Sequence, residues 1–179
     1  FFAIRGSGRD GHDYVRTAFD RGACAAVVRS AWAAENEAIG PVLAVKETIE
    51  ALGAAARQAR RQWGRPLAAV TGSNGKTTTK DLIAAMLETK YRVAKSAGNL
   101  NNELGLPLSL LRFDEEADVG VAEMGMNHAG EIRRLACMAE PTVGVVTNVN
   151  AVHLEHFSSV DEIASAKQEL IEELPDLGI

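Results

Sequence analysis

Apolar residues recur along this chain in two rhythms. Short, mostly apolar runs predict strands, at 1–4, 23–28, 42–45, 67–70, 91–94, 118–122 and 143–147. Between them the apolar positions fall three and four apart, which predicts helices. One covers 12–21 through Tyr14, Val15, Ala18 and Phe19, with Gly22 as its stop. A long one covers 46–63 through Ile49, Leu52, Ala56 and Ala59. Its basic end, Arg57, Arg60 and Arg61, suits the negative pole of the helix dipole. Further helices are expected at 76–88, 104–111, 130–138 and 160–174.

Gly64-Arg65-Pro66 breaks this alternation and sets the expected boundary between two domains. Residues 1–65 read as a small α/β domain. Residues 66–179 alternate strand and helix regularly, so they predict a parallel sheet with helices on both faces. The chain opens inside an apolar run and stops just past a helix. Both domains are therefore expected to be incomplete at their outer ends.

The strongest chemical signal is Val70-Thr71-Gly72-Ser73-Asn74-Gly75-Lys76-Thr77-Thr78-Thr79. A buried strand enters a glycine-rich turn, and a helix begins at the lysine. Glycines let backbone N–H groups surround phosphate oxygens, and the helix start adds a positive pole. Lys76 can reach the outer phosphates, and the Thr77 hydroxyl can ligate magnesium. The general pattern asks for a glycine at position 70. Val70 stands there, and the extra glycine lies at Gly72. Gly-Lys-Thr between a strand and a helix nonetheless argues for a nucleotide rather than a plain turn.

Ligands of open parallel sheets sit beyond the carboxyl ends of the strands. Glu123 and Asn148 fall at two such ends, and His153 follows shortly after. A carboxylate at Glu123 suits Mg²⁺, which takes oxygen ligands. Pattern and spacing alone leave His153, His128 and His156 as structural histidines and Lys167 as a solvated helix lysine.

Composition narrows the classes. No apolar run is long enough to span a bilayer, and no leader pattern opens the chain, so a cytoplasmic location is expected. A net charge of −5 argues against general nucleic-acid binding. Residues 1–65 carry ten Lys/Arg against seven Asp/Glu, a slight excess that suits an anionic ligand and equally an ordinary solvated surface. Cys24 and Cys137 are expected to be buried, reduced thiols, too far apart in sequence for a metal knuckle.

The phosphate loop resembles that of the Mur ligases, whose variant carries the shifted glycine. The resemblance extends over nearly the whole chain. Gly98-Asn99-Leu100-Asn101-Asn102-Glu103-Leu104-Gly105-Leu106-Pro107 is similar to the family's Asn-rich segment. Glu123-Met124-Gly125-Met126-Asn127-His128-Ala129-Gly130-Glu131-Ile132 is similar to its acidic metal-binding segment, in the form found in the branch that adds D-alanyl-D-alanine. Thr147-Asn148-Val149 with His153-Leu154-Glu155 resembles its histidine motif, and Ala164-Ser165-Ala166-Lys167 the segment of its modified lysine. Phe1-Phe2-Ala3-Ile4-Arg5-Gly6 with Asp10-Gly11-His12-Asp13-Tyr14 is similar to the family's uridine-nucleotide domain.

The resemblance implies an ATP- and Mg²⁺-dependent amide ligase of peptidoglycan precursor synthesis. It would join D-alanyl-D-alanine to UDP-MurNAc-tripeptide through an acyl phosphate. Thr71, Gly72, Ser73, Asn74, Gly75, Lys76, Thr77, Thr78 and Asn148 would hold the nucleotide. Thr77 and Glu123 would hold one Mg²⁺, and His153 with a carbamylated Lys167 a second. Lys76, His153 and Lys167 would carry the catalysis, and Asp10, Gly11, His12 and Asn102 would contact substrate. The family's opening uridine-binding stretch and its C-terminal domain have no counterpart in these residues. Two alternatives stay open: a sister Mur-type or folylpolyglutamate ligase, and a phosphate-loop protein that hydrolyses nucleotide as a switch.

Overall fold

A computed structural model of the chain describes every residue except Ala38, His153 and Leu154. It divides into two compact units, Phe1–Ala54 and Ala55–Ile179.

In the first unit a 3-10 turn, Gly11–Tyr14, leads into α1 (Val15–Asp20). Next come β1 (Ala26–Arg29), α2 (Ser30–Glu35), β2 (Val42–Val45) and the first part of α3 (Thr48–Trp63). Strands β1 and β2 are parallel, with Ala26 opposite Val42. The expected strand at 1–4 contributes only one parallel bridge, Phe2 to Val27. Its buried member is Ala3, which packs with Val15, Ala26 and Val28. The chain turns away at once because Gly11 closes on Ile4. The Gly11 amide donates to the Ile4 carbonyl at 2.9 Å, and a Cβ on Gly11 would lie 2.5 Å from the Ile4 nitrogen. The helix expected over 12–21 begins as the 3-10 turn because the Asp10 carboxylate accepts from the His12 amide there.

The second unit continues α3 and adds β3 (Leu67–Thr71), α4 (Lys76–Glu88), β4 (Val93–Lys95), α5 (Gly105–Leu110), β5 (Val119–Glu123), α6 (Glu131–Ala139), β6 (Val143–Val146) and α7 (Val160–Glu172). Its four strands are all parallel, in the order β4-β5-β3-β6. Every residue of β3 is buried, and alternate residues serve opposite faces. Leu67 and Ala69 join Ala122, Leu106, Ile132, Leu135, Ile163 and Leu170 beneath α5, α6 and α7. Ala68 and Val70 join Val121 and Ala84 beneath α4. The sheet is therefore covered on both faces, as its unbroken apolar strands require.

The basic end of α3 finds a partner beyond its own dipole. Arg60 donates to the carbonyls of Ala139 at 2.7 Å and Glu140 at 3.1 Å, at the carboxyl end of α6. Arg57 and Arg61 both reach the Glu140 carboxylate at 2.9 Å. The hydrogen bond from Arg61 holds that carboxyl below its usual range.

Both cysteines differ from expectation. Cys24 is exposed, and Cys137 is half-buried with its thiol donating to Glu173 at 3.1 Å. Burial, with the Glu173 carboxylate adding to it, pushes the Cys137 thiol up. Among the described residues no helix is long and apolar enough to cross a membrane.

Candidate functional site

The carboxyl ends of β3, β5 and β6 meet where the glycine-rich loop leaves β3. Val70 lies opposite Glu123, and Thr71 opposite Val146, so both flanking strands end beside the loop. The segment after β6 closes over it. The Ser73 amide donates to the Asn148 carbonyl at 3.0 Å. Asn148 holds Asn74 twice, accepting its amide at 3.0 Å and donating to its carbonyl at 3.1 Å. The Ser73 hydroxyl donates to the Asn150 carbonyl at 3.1 Å and accepts the Asn150 amide at 2.9 Å. Thr147 donates to the Asn74 carbonyl at 2.7 Å. This packing explains the shifted glycine. At Gly72 φ is +147°, and a Cβ would lie 1.9 Å from the Thr147 hydroxyl oxygen.

Helix α4 begins without a side-chain cap, after Gly75 at φ +77°. Its first amides therefore have no side chain competing for them, an arrangement suited to an anion. Lys76 folds over the loop, donating to the Gly72 carbonyl at 2.9 Å and the Ser73 carbonyl at 3.4 Å. Thr78 is exposed on the same turn. The Thr71 hydroxyl is buried with no hydrogen-bond partner, an orphaned polar atom at the mouth of the cradle.

Glu123 is 1% exposed and fully engaged. Oε2 accepts from the Thr77 hydroxyl at 2.7 Å, and Oε1 accepts from the Asn101 amide group at 2.7 Å. Its backbone amide donates to the Ser96 hydroxyl at 3.1 Å. The hydroxyl and carboxylate expected to share a cation thus stand side by side next to Lys76. Both are hard oxygen donors, the set that Mg²⁺ prefers. Among the described residues no three His, Cys, Asp or Glu side chains gather to hold a metal. A cation here would lean on hydroxyl and phosphate oxygens as well.

Lys167 lies on the buried face of α7, 2% exposed, with no hydrogen bond to a described residue. Burial, with the like charge of Lys76 adding to it, lowers its pKa to about 8. Two residues on, Glu169 fixes α7 against α6. Its carboxylate accepts the Gly130 amide at 2.7 Å and the Arg133 amide at 2.9 Å, so α7 supplies the amino-terminal cap of α6. His153, expected beside Lys167, lies outside the described residues.

The expected substrate residues have structural tasks. Buried His12 accepts the Arg29 amide on Nε2 at 2.9 Å. It is therefore the tautomer with a proton on Nδ1, and donates it to Asp10 at 2.6 Å. Hydrogen bonds from the His12 backbone and ring hold the Asp10 carboxyl below its usual range. Asn102 spends its side-chain oxygen on the amides of Leu104 at 3.1 Å and Gly105 at 2.8 Å, capping α5. The neighbour that reaches the carboxylate is Asn101, which the sequence reading did not single out. Ser96, Lys80 and Asn150 were also missed. For Lys80 and Lys167 a signal existed: Ala84 lies four positions after Lys80, and Ile163, Ala166 and Leu170 put Lys167 on the apolar stripe of its helix.

A buried parallel strand, a glycine loop and an uncapped helix carrying Lys76 define the phosphate-loop class of α/β nucleotide-binding domain. The sequence profile of the Mur ligase middle domain matches residues 70–179. The chain belongs to the Mur ligase family. It is 41% identical to the UDP-N-acetylmuramoyl-tripeptide–D-alanyl-D-alanine ligase of Bacillus subtilis (strain 168), with all of this chain and 39% of that one aligned. It is 39% identical to the ligase of the same name from Escherichia coli (strain K12), over all of this chain and 39% of that one. The chain thus spans 39% of the length of these curated relatives. Among solved structures, MurF from Acinetobacter baumannii superposes with a TM-score of 0.90 at 33% identity, covering 99% of this chain and 39% of that one. MurF ligase from Thermotoga maritima, solved in complex with ADP, superposes with a TM-score of 0.88 at 34% identity over 98% of this chain and 40% of that one.

Proposed function

We propose that this chain is part of an ATP-dependent, ADP-forming ligase that joins D-alanyl-D-alanine to UDP-MurNAc-tripeptide in peptidoglycan precursor synthesis. The observation that carries the reading is the Thr77–Glu123 pair beside Lys76. It lies in a chain aligned along its whole length with ligases of that name. Residues 66–179 are the ATP-binding domain, and residues 1–65 the uridine-nucleotide domain. Neither a folylpolyglutamate ligase nor a nucleotide switch appears among the relatives described above.

A free carboxylate is a poor acyl donor. Phosphoryl transfer from ATP makes it an acyl phosphate; the amine of D-alanyl-D-alanine then attacks the acyl carbon, phosphate leaves, and an amide remains. Such transfer depends mainly on positioning and charge neutralisation. Lys76 and the amides of the loop Gly72–Gly75, with Thr71 and Thr78 flanking it, hold the phosphates, while Asn148 keeps the loop closed. Thr77 and Glu123 would be donors for Mg²⁺, which would supply further neutralisation of phosphate oxygens when bound. Lys167 and His153 would hold a second Mg²⁺. A buried amine with a pKa near 8 is partly neutral at physiological pH. The neutral amine can add carbon dioxide and lose a proton, becoming an anionic oxygen donor. Asp10, Gly11 and His12 act on the uridine nucleotide through the loop they rigidify, and Asn102 acts through the start of α5.

The test is mass spectrometry of the full-length protein supplied with UDP-MurNAc-tripeptide, ATP and D-alanyl-D-alanine. The expected products are the D-alanyl-D-alanine-extended nucleotide and stoichiometric ADP. ATP turnover indifferent to both peptide substrates, with no extended product, overturns the proposal.

A further inference from the structure

Lys80 stands one turn beyond Lys76 on α4, and the chemistry above gives it no task. It is among the largest fully buried side chains, 1% exposed. Its ammonium donates to the carbonyls of Ser96 at 2.9 Å and Gly98 at 2.8 Å. The closest carboxylate oxygen, on Asp81, is 3.8 Å away. A buried ammonium whose ion-pair partner is a half-exposed carboxylate at 3.8 Å is costly, and an apolar side chain of similar volume would fill the space without that cost. The position therefore uses what only the ammonium provides, several donors on one flexible arm.

Both carbonyls belong to the turn between β4 and α5, and that turn is the scaffold of Glu123. Ser96 accepts the Glu123 amide on its hydroxyl, and Asn101 donates to Oε1 of the carboxylate. The Asn101 carbonyl also accepts the Gly125 amide at 2.8 Å, just past the end of β5. Gly98 adopts φ +50°, a left-handed conformation in the middle of the turn. Thr77, three residues before Lys80 on the same helix, takes the other carboxylate oxygen. Helix α4 therefore reaches Glu123 twice, directly through Thr77 and indirectly through Lys80 and the turn.

We infer that Lys80 is a positioning residue. It clamps the turn 96–101 onto α4, so that Asn101 and Ser96 present the Glu123 carboxylate beside Thr77 for a divalent cation. The inference rests on the reading of Thr77 and Glu123 as the cation's donors. It concerns the geometry of that pair, not the phosphate cradle.

The test uses the full-length protein with Lys80→Met, Lys80→Gln, Asn101→Ala and the Lys80→Met/Asn101→Ala double variant. In the metal-free, nucleotide-free protein, hydrogen exchange should rise at least about tenfold in 97–101 and at the Glu123 amide, with β3 unchanged. By calorimetry, the Mg²⁺ concentration that half-saturates the enhancement of ATP binding should rise on the order of tenfold in Lys80→Met. ATP affinity without Mg²⁺ should stay as in the wild type. The double variant should lose less than the sum of the two single losses, because the substitutions share the route through Asn101. Lys80→Gln keeps a donor and should fall between wild type and Lys80→Met, which also serves if the methionine variant does not fold. Wild-type exchange in the turn and wild-type Mg²⁺ dependence in either folded Lys80 variant overturn the inference. Wild-type protein that binds ATP indifferently to Mg²⁺ overturns the reading of Thr77 and Glu123 instead, and the exchange measurement still decides whether Lys80 clamps the turn.

Discussion

The positive charge of Lys76, at the start of α4, bears on Lys167, buried on α7, and helps to lower its pKa to about 8. In the unfolded chain this amine has its ordinary value of 10.5. The unfolded state therefore binds more protons between the two values, and stability rises with pH across that window. Below about 8 both states are protonated and the full penalty is present. Lys167→Met in carbonate-free buffer should raise the unfolding free energy at pH 7 by on the order of 2–3 kcal/mol, and the melting temperature with it. The gain should shrink as pH climbs from 8 towards 10.5. Thermal unfolding of both proteins across pH 7 to 10.5 measures it, and a gain that does not vary with pH contradicts the burial of a charged amine.

Glu123→Gln keeps the shape of the side chain and removes its charge. Its new amide group cannot accept from both Thr77 and Asn101. Mg²⁺-dependent ATP binding should weaken at least about tenfold, the lower end of losses seen at outer-sphere partners. Binding of the uridine nucleotide should stay unchanged. Calorimetry with each ligand separates the two, and equal losses for both would mean that the substitution acts through the fold.

Gly72→Ala would bring a methyl group against the Thr147 hydroxyl at 1.9 Å. Overpacking of this kind costs about 1–3 kcal/mol, and the loop would have to move away from Asn148. ATP affinity should fall sharply. Thr147→Gly in the same protein should restore only part of it. The hydroxyl is gone, but the Asn148 nitrogen still lies 3.2 Å from the added carbon, and φ remains positive. Full restoration would place the defect elsewhere.

His12→Ala leaves the Arg29 amide and the Asp10 carboxylate without their shared partner. An orphaned buried amide costs about 1–3 kcal/mol. Stability should drop accordingly in a melting experiment. Affinity for the uridine nucleotide should weaken less at low temperature, where the loop is still formed. An affinity lost at every temperature with unchanged melting would make His12 a direct ligand.

The element around Lys76 was legible because its physics is local. An all-apolar strand, two glycines and Gly-Lys-Thr leave few other conformations, and α4 has the bounds that the pattern predicts. Helix α2 was missed because Ser30–Glu35 is alanine-rich and buries no residue fully, so no apolar stripe marks it. Asn101 and Asn102 are chemically identical neighbours, and only the turn decides that one caps α5 while the other meets Glu123. Lys167 reads as solvated by residue type, although its spacing places it on the apolar face of α7, and Lys80 was passed over although Ala84 follows it by four positions. For Lys167 residue identity outweighed periodicity in the reading, and tertiary packing decided otherwise.

The cap that Glu169 lends to α6 also sets an order of events during synthesis. The amides of Gly130 and Arg133 precede the carboxylate that satisfies them by 39 and 36 residues. On the ribosome, α6 emerges with its amino end open to water and is completed only when the middle of α7 has left the exit tunnel. The same late segment delivers Lys167. Helix α6 thus becomes whole only as the segment bearing Lys167 emerges, and nascent chains with residue 169 still inside the tunnel should differ from chains with it outside in the protease protection of 130–139.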